Sequence, residues 1–232
     1  YLFAKKMGGK FLLRIEDTDT ERSEDKYTQD ILSSLEWLGM KPEEPLLYQS
    51  KRFDVYRKIA DDMVSRGLAY RCYCTEAEVE ASREQLIKEG KKAMYARTCR
   101  DRTAPPSDKG PNPPYAIRAK FPLTGTTSFQ DMIRGEISFP NPDLDDFVMI
   151  RTSGVPTYNF VVVIDDVEMK ISHVIRGDDH INNTPKQMYL YDALKHPRPL
   201  FAHLPMILGQ DKKKLSKRNG ETSTNAYRAA GY

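Results

Sequence analysis

Hydrophobic positions change their spacing along the chain, and the changes mark out elements. Tyr1 to Lys6 reads as the last turns of a helix, stopped by Gly8 and Gly9, since glycine readily ends helices. Lys10–Ile15 carries Phe11, Leu12, Leu13 and Ile15, the pattern of a short buried strand. Ser23 is an N-cap for a helix reaching Leu38, with Tyr27, Ile31, Leu35 and Leu38 at helical spacing. A second helix is expected from Phe53 to Arg66, ended by Gly67. Strand, helix and strand in turn predict a parallel sheet with crossover helices.

The character changes after Gly67. Tyr70–Cys74 is strand-like, and Thr75 with Glu78 forms a capping-box pattern for a charged helix to Lys88. Thr103–Pro114, rich in proline, glycine and aspartate, is a loop. Short strands follow at Tyr115–Phe121, Ser128–Ile133 and Glu136–Phe139, and Asp146–Arg151 with Thr157–Ile164 is expected to form a hairpin around Ser153-Gly154. The strand–helix rhythm returns with a strand at Ile171–Ile175 and a helix from Pro185 to Leu194, started by Asn183 or Thr184. A strand-like run, Phe201–Leu208, then precedes the loop Gly209–Lys214. The pattern is that of a split α/β domain, residues 1–67 and 171–232, interrupted by an α+β insertion over 68–170. There is no internal repeat and no low-complexity tract.

Composition changes this picture little. The 232 residues are 39% hydrophobic and 30% charged, as in a globular chain, and no apolar run approaches a membrane span, so no membrane partner is expected. A net charge of +3 does not by itself point to nucleic acid. Its distribution says more: Lys88, Lys91, Lys92, Arg97, Arg100 and Arg102 crowd one stretch, and Lys212, Lys213, Lys214, Lys217 and Arg218 another. The first stretch is either a surface for nucleic-acid phosphates or an exposed charged face. Three cysteines, an odd number, argue against a disulfide framework and for a reducing, cytoplasmic setting.

Three segments at the carboxyl ends of expected strands carry candidate chemistry, the place where open α/β sheets bind ligands. Lys214-Leu215-Ser216-Lys217-Arg218 could clamp phosphates and neutralise the charge that grows on departing pyrophosphate; a lysine run is otherwise a solvated loop. Arg14-Ile15-Glu16-Asp17-Thr18-Asp19 crowds three carboxylates, which a ligand ammonium group would offset, although turn chemistry alone also favours Asp and Thr. In Val174-Ile175-Arg176-Gly177-Asp178-Asp179-His180 the guanidinium could grip a carboxylate in a bidentate fork, or pair with its own aspartates.

Together with Pro156-Thr157-Tyr158-Asn159-Phe160 and Ile181-Asn182-Asn183-Thr184-Pro185, these segments resemble bacterial glutamyl-tRNA synthetase in order and spacing along essentially the whole chain. Lys214–Arg218 is then that family's form of the class I Lys-Met-Ser-Lys-Ser loop. The resemblance implies a Rossmann-type catalytic domain with an inserted acceptor-stem-binding domain. It implies that Glu16 holds the amino group of substrate L-glutamate, that Arg176 pairs with its side-chain carboxylate, and that Tyr158 lines the same pocket. Asp179 and the backbone at Ile207 would contact ATP, and Lys214, Ser216 and Lys217 would clamp its phosphates with Mg2+. The implied enzyme is a monomer that forms glutamyl-adenylate and passes the glutamyl group to tRNA(Glu). The family opens with a strand and a His-Ile-Gly-His motif, and this chain starts beyond them, so this polypeptide alone is expected to be inactive in aminoacylation.

Cys72-Tyr73-Cys74 and Cys99 resemble the zinc knuckle of some members' insertion. Three thiolates close three corners of a tetrahedron and a fourth ligand is required. Asp101, two residues past the third cysteine, is the first choice, and Tyr95 is the competitor, since a related tRNA-modifying enzyme uses a tyrosine there. That relative, glutamyl-queuosine tRNA(Asp) synthetase, is the nearest rival; against it stand Thr18 and the 24 residues between Cys74 and Cys99. A glutaminyl enzyme would read Phe-Asp-Asp-Thr-Asn where this chain has Ile15–Asp19. A third reading is a non-catalytic tRNA-binding fragment of the same fold.

Overall fold

The structure, a computed structural model, describes residues 1–18, 25–209, 212 and 224–231. The chain forms two compact units: Tyr1–Lys51 with Arg176–Asp179 and Leu204–Tyr232, and Arg52–Ile175 with His180–His203.

The first unit begins with helix α1 (Leu2–Lys6), followed by strand β1 (Arg14–Ile15), helix α2 (Asp25–Trp37) and strand β2 (Leu47–Tyr48). β1 and β2 are parallel, with Arg14 opposite Leu47 and Ile15 opposite Tyr48, as a strand–helix–strand pattern requires. The strand is shorter than the expected Lys10–Ile15: Leu13 accepts from Leu47 of β2 at 3.3 Å, but Phe11 accepts from Glu43, outside any strand, at 2.9 Å.

In the second unit, helix α3 (Phe53–Ser65) buries Tyr56, Ala60 and Met63 on one face, and Gly67 closes it at φ 70°. Strand β3 (Ala69–Cys72), helix α4 (Glu76–Lys88) and strand β4 (Ala116–Ala119) follow. The capping box at α4 is as read: Glu78 N–H donates to Thr75 Oγ1 at 3.2 Å and Thr75 N–H to Glu78 Oε2 at 2.6 Å. Strands β5 (Thr126–Asp131) and β6 (Gly135–Pro140) form a hairpin, and β7 (Val148–Ile150) completes an antiparallel sheet in the order β3-β4-β7.

The expected second strand of the 146–164 hairpin is a helix, α5 (Tyr158–Glu168). The turn at Ser153-Gly154 forms, but pairing ends at a single bridge between Ile150 and Pro156. The run Val161-Val162-Val163-Ile164 favours strands locally through its branched side chains. It is buried along with Phe160, and a helix apolar all round is stable only inside a core. Its polar end is compensated: Tyr56 Oη donates to Asp165 at 2.9 Å and Tyr191 Oη to Asp166 at 3.2 Å.

Strand β8 (His173–Gly177), helix α6 (Thr184–Ala193), strand β9 (Leu200–Leu204) and helix α7 (Thr224–Ala229) complete the described elements. A four-stranded sheet runs β6-β5-β9-β8, with β5 and β9 parallel at Asp131 and Phe201. The hairpin of the middle third therefore shares a sheet with strands that follow residue 171. The units also divide at Lys51/Arg52 rather than at 67/68. The reason is packing: α3 lies on β3 and β7, and α5 lies on α6, burying Tyr56, Met63, Ile117, Met149, Phe160, Met188 and Leu190 completely in one core. Each such side chain contributes about 1.5–3 kcal/mol by leaving water, enough to hold α3 and α6 to this unit. Among the described residues no helix is long and apolar enough to cross a membrane.

Candidate functional site

In the first unit, the chain after β1 turns outward, and its two acidic residues diverge. Asp17 accepts from the backbone N–H and the hydroxyl of Ser50, at 2.8 and 2.6 Å, and so ties this turn to the segment after β2. Glu16 is exposed and paired with Arg14 at 3.1 Å. Thus Asp17 performs the turn role and Glu16 remains the carboxylate presented at the strand end. Asp19 lies outside the described residues.

Arg176, Gly177 and Asp179 belong to the same unit as Glu16, and so does Ile207. Arg176 is half-buried near the end of β8, and Ile207 is exposed. Gly177 has a role that the sequence reading missed. A Cβ placed there would stand 2.6 Å from Asp179 Oδ1 and 3.5 Å from Met206 Sδ. Its φ is not positive, so an added methyl would meet no backbone strain but would displace the Asp179 carboxylate, which folds back over Gly177. Lys214, Ser216 and Lys217 lie outside the described residues.

Tyr158 lies in the second unit, at the first turn of α5. Its hydroxyl is 3.5 Å from His180 Nδ1 and the two rings sit 5.6 Å apart. Asn159 donates to Asn183 at 3.3 Å and accepts from Gln187 at 3.1 Å. The runs 156–160 and 181–185, distant in sequence, are thus side by side. Behind them, His203 Nδ1 meets Asp131 Oδ2 at 2.6 Å and His203 Nε2 meets Thr184 Oγ1 at 3.2 Å, with His203, Asp131 and Thr184 all buried. Burial works against charge on Asp131, yet the N–H groups of Arg134 and Ile133 and the His203 ring bring its carboxyl from 3.8 down to about 2.

The cysteines converge. Cys72, Cys74 and Cys99 offer sulfurs all within 4.8 Å of one another. Tyr95 Oη lies among them, 3.3 Å from Cys72 Sγ and 3.5 Å from Cys74 Sγ, and accepts from the Cys99 N–H at 3.0 Å. Cys74 and Cys99 sulfurs are 3.7 Å apart. A tetrahedral ion with Zn–S near ~2.3 Å and Zn–O near ~2.0 Å has S···S edges of ~3.8 Å and S···O edges of ~3.5 Å. The four groups therefore fit a zinc ion with little rearrangement. Asp101, the first choice from sequence, is not brought to this cluster: it is 83% exposed and pairs with Lys120 at 2.9 Å. A carboxylate held by lysine at the surface is satisfied there, whereas the buried phenol oxygen has sulfurs for neighbours.

Burial pushes the Cys74 thiol up to about 12 and the Tyr95 phenol upward as well. For Cys99 burial is outweighed by hydrogen bonds from the Tyr73 backbone and Tyr95, which bring it below its ordinary value. A bound dication removes such protons from its ligands. The loop is anchored by Asp146, fully buried, which accepts from Arg100 Nη1 at 2.6 Å, Tyr70 Oη at 2.8 Å and the Phe121 N–H at 3.0 Å. Asp146 was not singled out by spacing; nothing local distinguishes it from Asp145.

The sequence fits the family described as class I tRNA synthetases (E and Q), catalytic domain, over residues 1–232, and the chain belongs to that family. It is 54% identical over 232 residues to the glutamate–tRNA ligase of Geobacter sulfurreducens, covering 100% of this chain and 49% of that protein. The glutamate–tRNA ligase of Trichlorobacter lovleyi is 53% identical with the same coverage. Among solved structures, a glutamate tRNA ligase from Elizabethkingia meningosepticum in complex with its amino acid is similar with a TM-score of 0.83 and 38% identity, over 95% of this chain and 48% of that one. The chain spans about half the length of the curated relatives it matches.

Proposed function

We propose that this chain is the catalytic region of a glutamate–tRNA ligase, which activates L-glutamate with ATP and Mg2+ and transfers it to the 3′ end of tRNA(Glu). The observation that carries this reading is 54% identity along the full chain to a glutamate–tRNA ligase, together with Glu16, Arg176 and Asp179 in one compact unit. Glu16 would hold the substrate ammonium group and Arg176 its side-chain carboxylate. Asp179 and the Ile207 backbone would contact ATP, while Lys214, Ser216 and Lys217 would stabilise the phosphates. The glutamate α-carboxylate would attack the α-phosphorus of ATP with loss of pyrophosphate, and the terminal ribose hydroxyl would then attack the carbonyl carbon of the mixed anhydride with loss of AMP. Neither step needs a protein nucleophile; positioning and charge stabilisation supply the rate. The enzyme would act in the cytoplasm as a monomer.

The test is charging of tRNA(Glu), tRNA(Gln) and tRNA(Asp) by the intact gene product with labelled glutamate. Glutamylation of tRNA(Glu), lost in Arg176→Ala through a raised KM for glutamate, supports the reading. Activation of glutamine in preference to glutamate would sink it. One feature favours the glutamyl-queuosine relative, namely Tyr95 among the cysteines, and the tRNA(Asp) arm of the assay decides that case.

We also propose a structural Zn2+ held by Cys72, Cys74, Cys99 and Tyr95, cross-linking the loop around residue 95 to β3. Zinc content of the purified protein tests it. Tyr95→Phe should lose zinc to chelators more readily than the parent protein, and Asp101→Ala should not. The reverse ranking would restore Asp101 as the ligand.

A further inference from the structure

Arg118 is a charged residue in a place where charges are costly. It sits on β4 with 6% of its surface exposed. Strand register sets Tyr70 opposite Arg118 and Cys72 opposite Ala116. Arg118 and Cys72 are therefore diagonal neighbours on one face of the sheet, within reach of a long side chain. The guanidinium carbon stands 3.9 Å from the centre of the Tyr95 ring. One nitrogen donates to the Asp146 carbonyl at 3.0 Å, and the buried Nε has no hydrogen-bond partner.

A buried guanidinium needs negative charge nearby, and a carbonyl and an aromatic face supply little of it. A zinc ion with three thiolates carries a net negative charge, and a phenolate as fourth ligand adds to it. A cation on the face of the Tyr95 ring favours electron density at its oxygen and offsets the anionic cluster at once. Of the nearby carboxylates, Asp145 accepts from the Tyr95 N–H at 3.3 Å and Asp146 is taken by Arg100 at 2.6 Å; a loaded centre would add negative charge on the face where Arg118 stacks, which three neutral thiols would not.

We propose that Arg118 is the outer-sphere cation of the metal centre, stacked behind Tyr95, and that its charge sets how tightly the centre holds zinc. The inference rests on Cys72, Cys74, Cys99 and Tyr95 forming a zinc site. Arg118 is not one of the four proposed ligands, so it is a positioning residue, one that works through Tyr95 and Cys72.

The experiment is zinc affinity of the intact gene product by competition with a chromogenic chelator, for the parent protein, Arg118→Lys and Arg118→Met, with urea unfolding of the zinc-stripped proteins alongside. Arg118→Met should bind zinc about 10–100-fold more weakly, the range for groups that support a ligand. Arg118→Lys, which keeps the charge but not the planar stack, should fall between. The zinc-stripped Arg118→Met protein should be as stable as the parent or more so, since a hydrophobic side chain replaces an uncompensated buried charge. A merely structural Arg118 would give the opposite pair of results. Zinc held by Arg118→Met within about threefold of the parent value, far short of the support expected of such a group, overturns the inference while the zinc site stands. If Arg118→Met does not fold, Arg118→Gln, which also removes the charge, takes its place, and zinc held by it within about threefold of the parent value overturns the inference equally. A parent protein that binds no zinc removes the site itself, and the inference with it.

Discussion

Gly177→Ala isolates the geometry of the nucleotide-side turn. The added methyl would lie 2.6 Å from Asp179 Oδ1, while ordinary contact begins at 3.4 Å, so the carboxylate must retreat by ~0.8 Å. The backbone tolerates alanine, since φ is not in the left-handed region, and a compatible Gly→Ala change stabilises by about 0.4–1 kcal/mol through the unfolded chain. Rotating one short side chain offsets that at most, so overall stability should stay within ~1 kcal/mol of the parent. Activity should not: misplacing a positioning group by ~1 Å costs up to about 100-fold. We expect ATP–pyrophosphate exchange by the intact gene product, with tRNA present, to fall by about 10–100-fold with an unchanged melting temperature. The double variant settles the route. In an Asp179→Ala background the clash has no partner, so Gly177→Ala should add nothing further. Parent-like exchange kinetics in Gly177→Ala, or full additivity with Asp179→Ala, refutes the reasoning.

Three other perturbations follow from the same structure. Asp146→Asn leaves Arg100 and Arg97 without their buried counter-charge and should cost about 3–5 kcal/mol in urea unfolding; a loss under 1 kcal/mol would mean that the knuckle loop is not anchored there. Asp131 is depressed from 3.8 to about 2, so its contribution, about 2 kcal/mol, is present above pH ~4 and is lost as pH falls through ~2. Unfolding measured against pH should show that loss, and Asp131→Asn should flatten it; an unchanged acid slope in the variant would contradict the assignment. Thr75→Ala removes the cap of α4, which has no fully buried residue, and should lower stability by about 1 kcal/mol, with amide exchange quickening in the first turn of the helix. Protection unchanged there would argue against the cap.

Much of this protein is written locally. The Thr75–Glu78 box, the helix begun at Phe53 and the Gly67 stop each act within a few residues, and each is found where the sequence pattern puts it. The motifs that mark the family are also contiguous, because strand-end turns carry several functional groups in one short run. Tertiary structure decided what local preference could not. Val161–Ile164 is helical because a core surrounds it on every side, and spacing alone does not distinguish a buried strand from a buried helix. Tyr95 rather than Asp101 joins the cysteines, since only the folded chain says which oxygen is buried among sulfurs and which is taken by Lys120. Arg118 and Gly177 matter for what stands against them, a ring from residue 95 and a carboxylate two positions on. A sequence records the reach of each residue along the chain; proximity through space, and with it the charge and room a side chain experiences, exists only once the sheets have formed.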